Sequence, residues 1–272
     1  MSSQYLIGID IGTTGLKVVV LNHERLVDQA HRVHTLRSPH AGWAEEDADE
    51  WWATVQSALR EITSRIPPER IAGVGVTGMV PAMVLLDSDS RVLRPAILMN
   101  DARSAQEVGE LRAAVDPDEF FRLTGGVPNQ QHVDPRWRWL VKHEPEVIEG
   151  TAHLCGSYDF IVHRLTAGWS LEENWAVESG LYDIRQRCWH EPYLAHAGIR
   201  PDILPPVRQP AEIVGAITES AAAQTGLPIG TPVVAGSADH VAAALASGLT
   251  QPGDTLLKFG GGGDILYCTD HD

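Results

Sequence analysis

Apolar residues dominate the stretch from Ile7 to Leu21 and are broken in its middle by Gly12-Thr13-Thr14-Gly15, so the pattern predicts two strands joined by a tight turn. Downstream, Trp52, Val55, Leu59, Ile62 and Ile66 recur at three- and four-residue intervals. That spacing places them on one face of a helix able to cover a sheet. Asp47, with Glu50 three residues on, resembles a capping arrangement, and Pro67-Pro68 stops the helix. Ile71 to Val76 and Met83 to Leu86 read as buried strands, the second ending in the polar turn Asp87-Ser88-Asp89-Ser90 before Arg91-Val92-Leu93. Strand, helix, strand, strand in this order argues for a mixed α/β sheet with helices on its faces.

Residues 104 to 166 read as mainly helical, interrupted by Thr124-Gly125-Gly126-Val127-Pro128-Asn129. Trp137 and Trp139 within this region are most simply helix packing. A Pro-rich connection from Arg200 to Pro206 precedes a strand at Ile213 to Ile217, a short helix from about Thr218 to Thr225 and a strand at Pro232 to Ala235. Gly236-Ser237-Ala238-Asp239-His240 then forms a strand-to-helix turn, with a carboxylate at the opening of an Ala-rich helix. Thr255 to Tyr267 repeats the first scheme, two strand runs around Gly260-Gly261-Gly262-Gly263.

Composition narrows the function classes. At 272 residues, 43% hydrophobic and 21% charged, the chain can bury a sizeable core. Thirty-six acidic against 21 basic residues give a formal charge of −15. Without a Lys/Arg run to concentrate positive charge, this argues against nucleic acid and anionic membranes as partners. Cys155, Cys188 and Cys268 are scattered and lack C-x-x-C spacing, so neither a disulfide framework nor a zinc site is supported, and a reducing, cytoplasmic setting is expected. No apolar run approaches the roughly 18 residues that a membrane helix needs.

The two glycine turns and Asp239 carry the candidate chemistry. Glycines let backbone N–H groups approach phosphate oxygens, the Thr13 and Thr14 hydroxyls add donors, and Asp10 sits where Mg²⁺ could be held directly or through water. The first turn does not fit a dinucleotide G-x-G-x-x-G or a P-loop, because a strand rather than a helix follows it. Its alternative is an ordinary hairpin, and that of Asp239 is a helix N-cap.

Taken in order, Gly8-Ile9-Asp10-Ile11-Gly12-Thr13-Thr14, Trp43-Ala44-Glu45-Glu46-Asp47 with Trp51-Trp52, Leu93-Arg94-Pro95-Ala96-Ile97-Leu98 with Asn100-Asp101-Ala102-Arg103, and Ala235-Gly236-Ser237-Ala238-Asp239 resemble the FGGY carbohydrate kinases, most closely xylulokinase-like members. The resemblance covers essentially the whole chain. It implies the actin/hsp70/sugar-kinase (ribonuclease H-like) fold and ATP-dependent phosphorylation of a ketose or polyol with Mg²⁺. Asp239 is then the catalytic base, taking a proton as the sugar hydroxyl attacks the γ-phosphorus. Gly12, Thr13, Thr14 and Lys17 form the first phosphate loop, although Lys17 could point to solvent instead. Asp10 organises the metal, and Gly260, Gly261, Gly262 and Gly263 form the second phosphate loop without the hydroxyls often found there.

The family's proteins are about twice this length. The resemblance therefore makes residues 1–252 the sugar-binding, base-bearing domain and residues 253–272 the first hairpin of a nucleotide-binding domain, with little or no kinase activity expected of this chain alone. Where xylulokinases commonly carry Gln-Met-His, this chain has Met79-Val80-Pro81. A polar sugar contact is lost there, and His240 either replaces it or sits on the helix surface. Asn100 and Asp101 either bind the polyol or tie their loop together, and Asp159 either marks the sugar site or caps a helix. Glu172 replaces a frequent Asp, and Trp175 suggests a tighter sugar wall. The expected partner is a sugar or polyol, and a homodimer is left open. The competing readings are a non-catalytic sugar- or nucleotide-binding module and an actin- or hsp70-like ATPase switch.

Overall fold

The computed structural model describes residues 4–23, 25–259 and 263–270. Tyr5–Gly12 (β1) and Gly15–Asn22 (β2) pair antiparallel across the expected turn, with Asp10 opposite Lys17 and Gly12 opposite Gly15. A third strand, Arg25–Val33 (β3), continues the meander. The hydrophobic pattern does not announce it, because as an edge strand it buries only Ala30. Along β1 and β2 the buried residues alternate (Ile7, Ile9, Ile11; Leu16, Val18, Val20), so one face of the hairpin is core.

The helix Ala48–Arg65 (α1) covers that face, placing Trp51, Trp52, Val55, Leu59 and Ile62 against β2 and β3. Each fully buried aliphatic side chain there contributes about 1.5–3 kcal/mol. Asp47 is the N-cap, accepting from the Asp49 backbone N–H at 3.0 Å. The capping arrangement with Glu50 does not form, because Glu50 accepts instead from the Thr35 hydroxyl at 3.0 Å. After α1, Ile71–Gly78 (β4) returns parallel to β1, with Ile7 beside Val74 and Asp10 beside Thr77.

The expected helical region contains Ala105–Ala114, Pro117–Thr124, Val133–His143 (α2), Pro145–Gly150 and Ser157–Thr166 (α3). A short strand, His153–Cys155, interrupts it and pairs with Val84–Leu86. Beyond Glu173–Glu178 (α4), Ile213–Ala216 (β5), Glu219–Thr225 (α5), Pro232–Val234 (β6) and Ser237–Ala238 (β7) complete the main sheet. The order is β5-β6-β4-β1-β2-β3, and β7 also pairs with β4. The helix Asp239–Ala246 (α6) follows, and Thr255–Phe259 (β8) with Gly263–Tyr267 (β9) forms a separate antiparallel pair.

The mixed sheet, with α1 and α3 packed on it, is the expected fold. Among the described residues no helix is long and apolar enough to cross a membrane. All three cysteines are free.

Candidate active site

Asp10, Thr77 and Ser237 are register partners across β1, β4 and β7, so they line up near the C-terminal ends of three parallel strands. The crevice beyond such ends is where open α/β sheets bind ligands. Thr77 donates its hydroxyl to Asp10 Oδ1 at 3.1 Å. Burial pushes the Asp10 carboxyl above its ordinary range, the Thr77 hydrogen bond opposes the shift, and repulsion from Asp239 adds to it.

Gly236 brings Asp239 into this row. Its φ is +103°, and a Cβ there would stand 2.3 Å from the Val76 carbonyl oxygen. Glycine therefore lets the chain break between β6 and β7 while both remain beside β4. Ala238, not Asp239, is the N-cap of α6. Asp239 is the first helical residue, with Oδ1 accepting from the His240 N–H at 2.6 Å.

Asp239 opens into a cleft of about 420 Å³ shared with Val80, Met99, Gln131, Glu178, His240, Lys258, Asp264, Ile265 and Leu266. Carboxylates, an amide and an imidazole thus alternate with apolar walls. His240 Nδ1 lies 3.6 Å from Asp239 Oδ1, and Nε2 lies 3.7 Å from Glu178 Oε1. Asp239 is the main reason the His240 pKa rises, and burial raises that of Glu178. Arg136, fully buried, supports the floor by donating to the Pro81 carbonyl at 2.7 Å and to the Gln131 carbonyl. Burial of this guanidinium lowers its pKa to about 9. A larger cavity of about 550 Å³ adjoins Gln131, Arg112 and Asn129. Among the described residues its lining holds no carboxylate or imidazole.

The first loop stands beside this row. Lys17 is exposed, yet as the cross-strand partner of Asp10 it shares that residue's face, and its charge acts on Asp10. Thr13 and Thr14 form the turn, Thr14 being exposed. Behind it, His34 lies 3.4 Å through Nδ1 from the Gly12 carbonyl and 3.0 Å through Nε2 from Thr54 Oγ1. Gly260, Gly261 and Gly262 lie outside the described residues, and Gly263 opens β9.

Of the other expected substrate residues, the cleft gathers Val80 and His240. Met79 is fully buried, and Pro81 faces Arg136 through its carbonyl. Asn100 is exposed next to cleft-lining Met99. Asp101 is fully buried, accepting from the Ala44 N–H at 2.6 Å and the Arg103 N–H at 2.9 Å, so it ties its loop together. Asp159 accepts from the Gly156 N–H at 3.0 Å and the Glu172 N–H at 2.8 Å, which is the capping alternative. Trp175 is no cleft wall: it is fully buried and donates to the Ala82 carbonyl at 2.8 Å. Thr77, Glu178, Gln131 and Arg136 had no sequence signal beyond a polar residue at the end of an apolar run for Thr77.

Comparison with known proteins bears on the family. The N-terminal domain of the FGGY family of carbohydrate kinases matches residues 5–246. A xylulose kinase from Escherichia coli (strain K12) is 31% identical over 258 residues, 94% of this chain and 53% of its own length. An L-xylulose/3-keto-L-gulonate kinase from the same organism is 33% identical over 254 residues, 91% of this chain and 51% of its own. The crystal structure of xylulose kinase from Rhodospirillum rubrum superposes with a TM-score of 0.94 at 45% identity, covering 96% of this chain and 54% of that one. The chain spans about half the length of the curated relatives it matches. With a domain match over residues 5–246 and the mixed sheet that places Asp10, Thr77 and Asp239 together, the chain belongs to the FGGY family of carbohydrate kinases.

Proposed function

We propose that this chain forms the acceptor-binding half of an ATP-dependent carbohydrate kinase acting on a ketose or polyol, with Asp239 as the base. The observation that carries the reading is the position of Asp239: it opens a helix at the ends of parallel strands and lines a cleft of about 420 Å³ with polar and apolar walls. Such walls suit the hydroxyls and carbons of a sugar. In the reaction, an acceptor hydroxyl oxygen bonds to the γ-phosphorus as the bond to the β–γ bridging oxygen breaks, ADP leaves, and the hydroxyl proton passes to the Asp239 carboxylate.

Gly12, Thr13 and Thr14 supply backbone and hydroxyl donors to phosphate, with Lys17 on the same face as Asp10. Mg²⁺, when bound, neutralises charge on the transferring phosphates. Among the described residues no three His, Cys, Asp or Glu side chains form a metal cage. Asp10 would hold Mg²⁺ directly or through water. Asp10 fits the role because Thr77 orients its carboxylate, and its repulsion with Asp239 is what a cation relieves.

The β8–β9 hairpin forms a sheet of its own, which supports assigning residues 253–272 to a second domain and residues 1–252 to the first. In this reading Gly260, Gly261, Gly262 and Gly263 are the second phosphate loop. ATP as donor and three free cysteines make a cytoplasmic setting part of the same reading. Relatives are named both for neutral xylulose and for the acid 3-keto-L-gulonate, so family membership leaves the charge of the acceptor open.

In the protein that carries this domain, Asp239→Asn is expected to lower kcat by about 10³-fold or more while acceptor KM changes little. Steady-state assays coupled to ADP release measure both constants. Wild-type turnover by the variant would remove Asp239 from the role of base, and acceptor binding without any sugar phosphate in the wild type would favour a non-catalytic module.

A further inference from the structure

The cleft carries a charge distribution that neither the motifs nor the family assign. Glu178, the last residue of α4, faces His240 from the wall opposite α6, its Oε1 3.7 Å from His240 Nε2. Asp239 approaches the same ring from the other side, Oδ1 to Nδ1 at 3.6 Å. His240 is thus held between two carboxylates, and Lys258, the one ammonium among the described residues of the cleft, is 3.6 Å from Asp264 Oδ2. His240 and Lys258, the basic side chains of this lining, thus each already face a carboxylate. The Glu178 side chain keeps 40% of its surface exposed and His240 27%, so both can still meet a ligand. Val80 leaves the adjacent floor without a side-chain donor or acceptor.

We propose that Glu178 sets the acceptor class of this site, hydrogen-bonding a hydroxyl of an uncharged sugar or polyol and excluding sugar acids. The proposal rests on the acceptor-binding reading above and deepens it. A carboxylate wall accepts hydroxyl donors well, and a like charge placed against it is repelled, which gives specificity by an unfavourable contact as well as a favourable one. His240, bracketed by Asp239 and Glu178, fixes the orientation of this wall and keeps its own charge compensated.

Two pairs of ligands that differ only at one terminal carbon, xylitol with D-xylonate and D-glucitol with D-gluconate, test the idea. Titration calorimetry of the 272-residue chain with xylitol, D-glucitol and D-xylulose is set against D-xylonate and D-gluconate, for the wild type, Glu178→Gln and Glu178→Asp. The wild type is expected to bind a neutral ligand at least about tenfold more tightly than the matching acid. Glu178→Gln lowers this preference by about tenfold or more, whereas Glu178→Asp, which keeps the charge, retains its sign. Thermal melts verify that both variants are folded. Binding of neutral ligands with a preference unchanged in Glu178→Gln would overturn the role of Glu178 alone. So would a wild type that binds the acids as tightly as the polyols. Failure of the wild type to bind any neutral ligand would overturn the acceptor-binding reading, and this proposal with it.

Discussion

Asp134 and Asp239 both lie in the first turn of a helix, yet their surroundings give them opposite chemistry. Asp239 opens into the cleft, whereas Asp134 is 2% exposed in α2 and neither of its oxygens accepts a hydrogen bond among the described residues. Burial pushes the Asp134 carboxyl up to about 7, and Arg138 only partly offsets this. A carboxyl with a folded pKa above its unfolded value holds its proton more tightly in the native state. Its stabilising contribution is full below about pH 4 and is lost as pH rises to about 7. Asp134→Asn is expected to remove that loss, so variant and wild type diverge between those pH values by up to about 4 kcal/mol in favour of the variant. Urea denaturation at pH 4 and pH 8 measures the difference, and parallel curves for the two proteins would contradict it. At this scale Asp10 and Asp239 were legible, because each stands in a local strand-turn signature. Glu178 was not, because a glutamate at the end of a helix has no signature until the opposite wall is known.

Among the elements, the apolar segments with clear periodicity are where the pattern put them: the first hairpin, α1, β4 and the helix after Thr218. The missed strand β3 shows the limit of such patterns, since an edge strand buries too little to alternate visibly. The β6–β7 break depends on one backbone position. Gly236→Ala forces a side chain into φ +103° and against the Val76 carbonyl. It is expected to lower stability by about 2 kcal/mol or more and Tm by roughly 4 °C or more. Calorimetric melting checks this, and an unchanged Tm would mean that the strand break is not fixed by Gly236. The same shift would move Asp239, so ligand affinity in the cleft should fall as well.

Across the whole molecule, a buried charge network joins segments distant in sequence. Arg103, with no exposed side-chain surface, pairs with Asp101 at 2.8 Å and Glu45 at 2.6 Å and stacks 3.8 Å over the Trp43 ring. Arg94 reaches the same Glu45. Asp101→Ala leaves this guanidinium with Glu45 as its remaining carboxylate and leaves the Ala44 N–H without its acceptor, and is expected to destabilise the fold by about 3–5 kcal/mol. Equilibrium denaturation measures the loss, and a change within about 0.5 kcal/mol would show that Asp101 is not the tie.

What the sequence determined by itself was local and chemical: the glycine turns, the amphipathic helix, the Asp at a helix start and the motif order that marks the family. These are legible because turn chemistry and hydrophobic period act over a few residues. What only the tertiary structure decided was which polar residues meet. Thr77 joins Asp10 through strand register, Glu178 meets His240 across a cleft, and Asp101 and Asp159 turn inward to backbone amides. Those pairings join residues far apart in the chain, and sheet order and burial, not neighbouring sequence, bring them together.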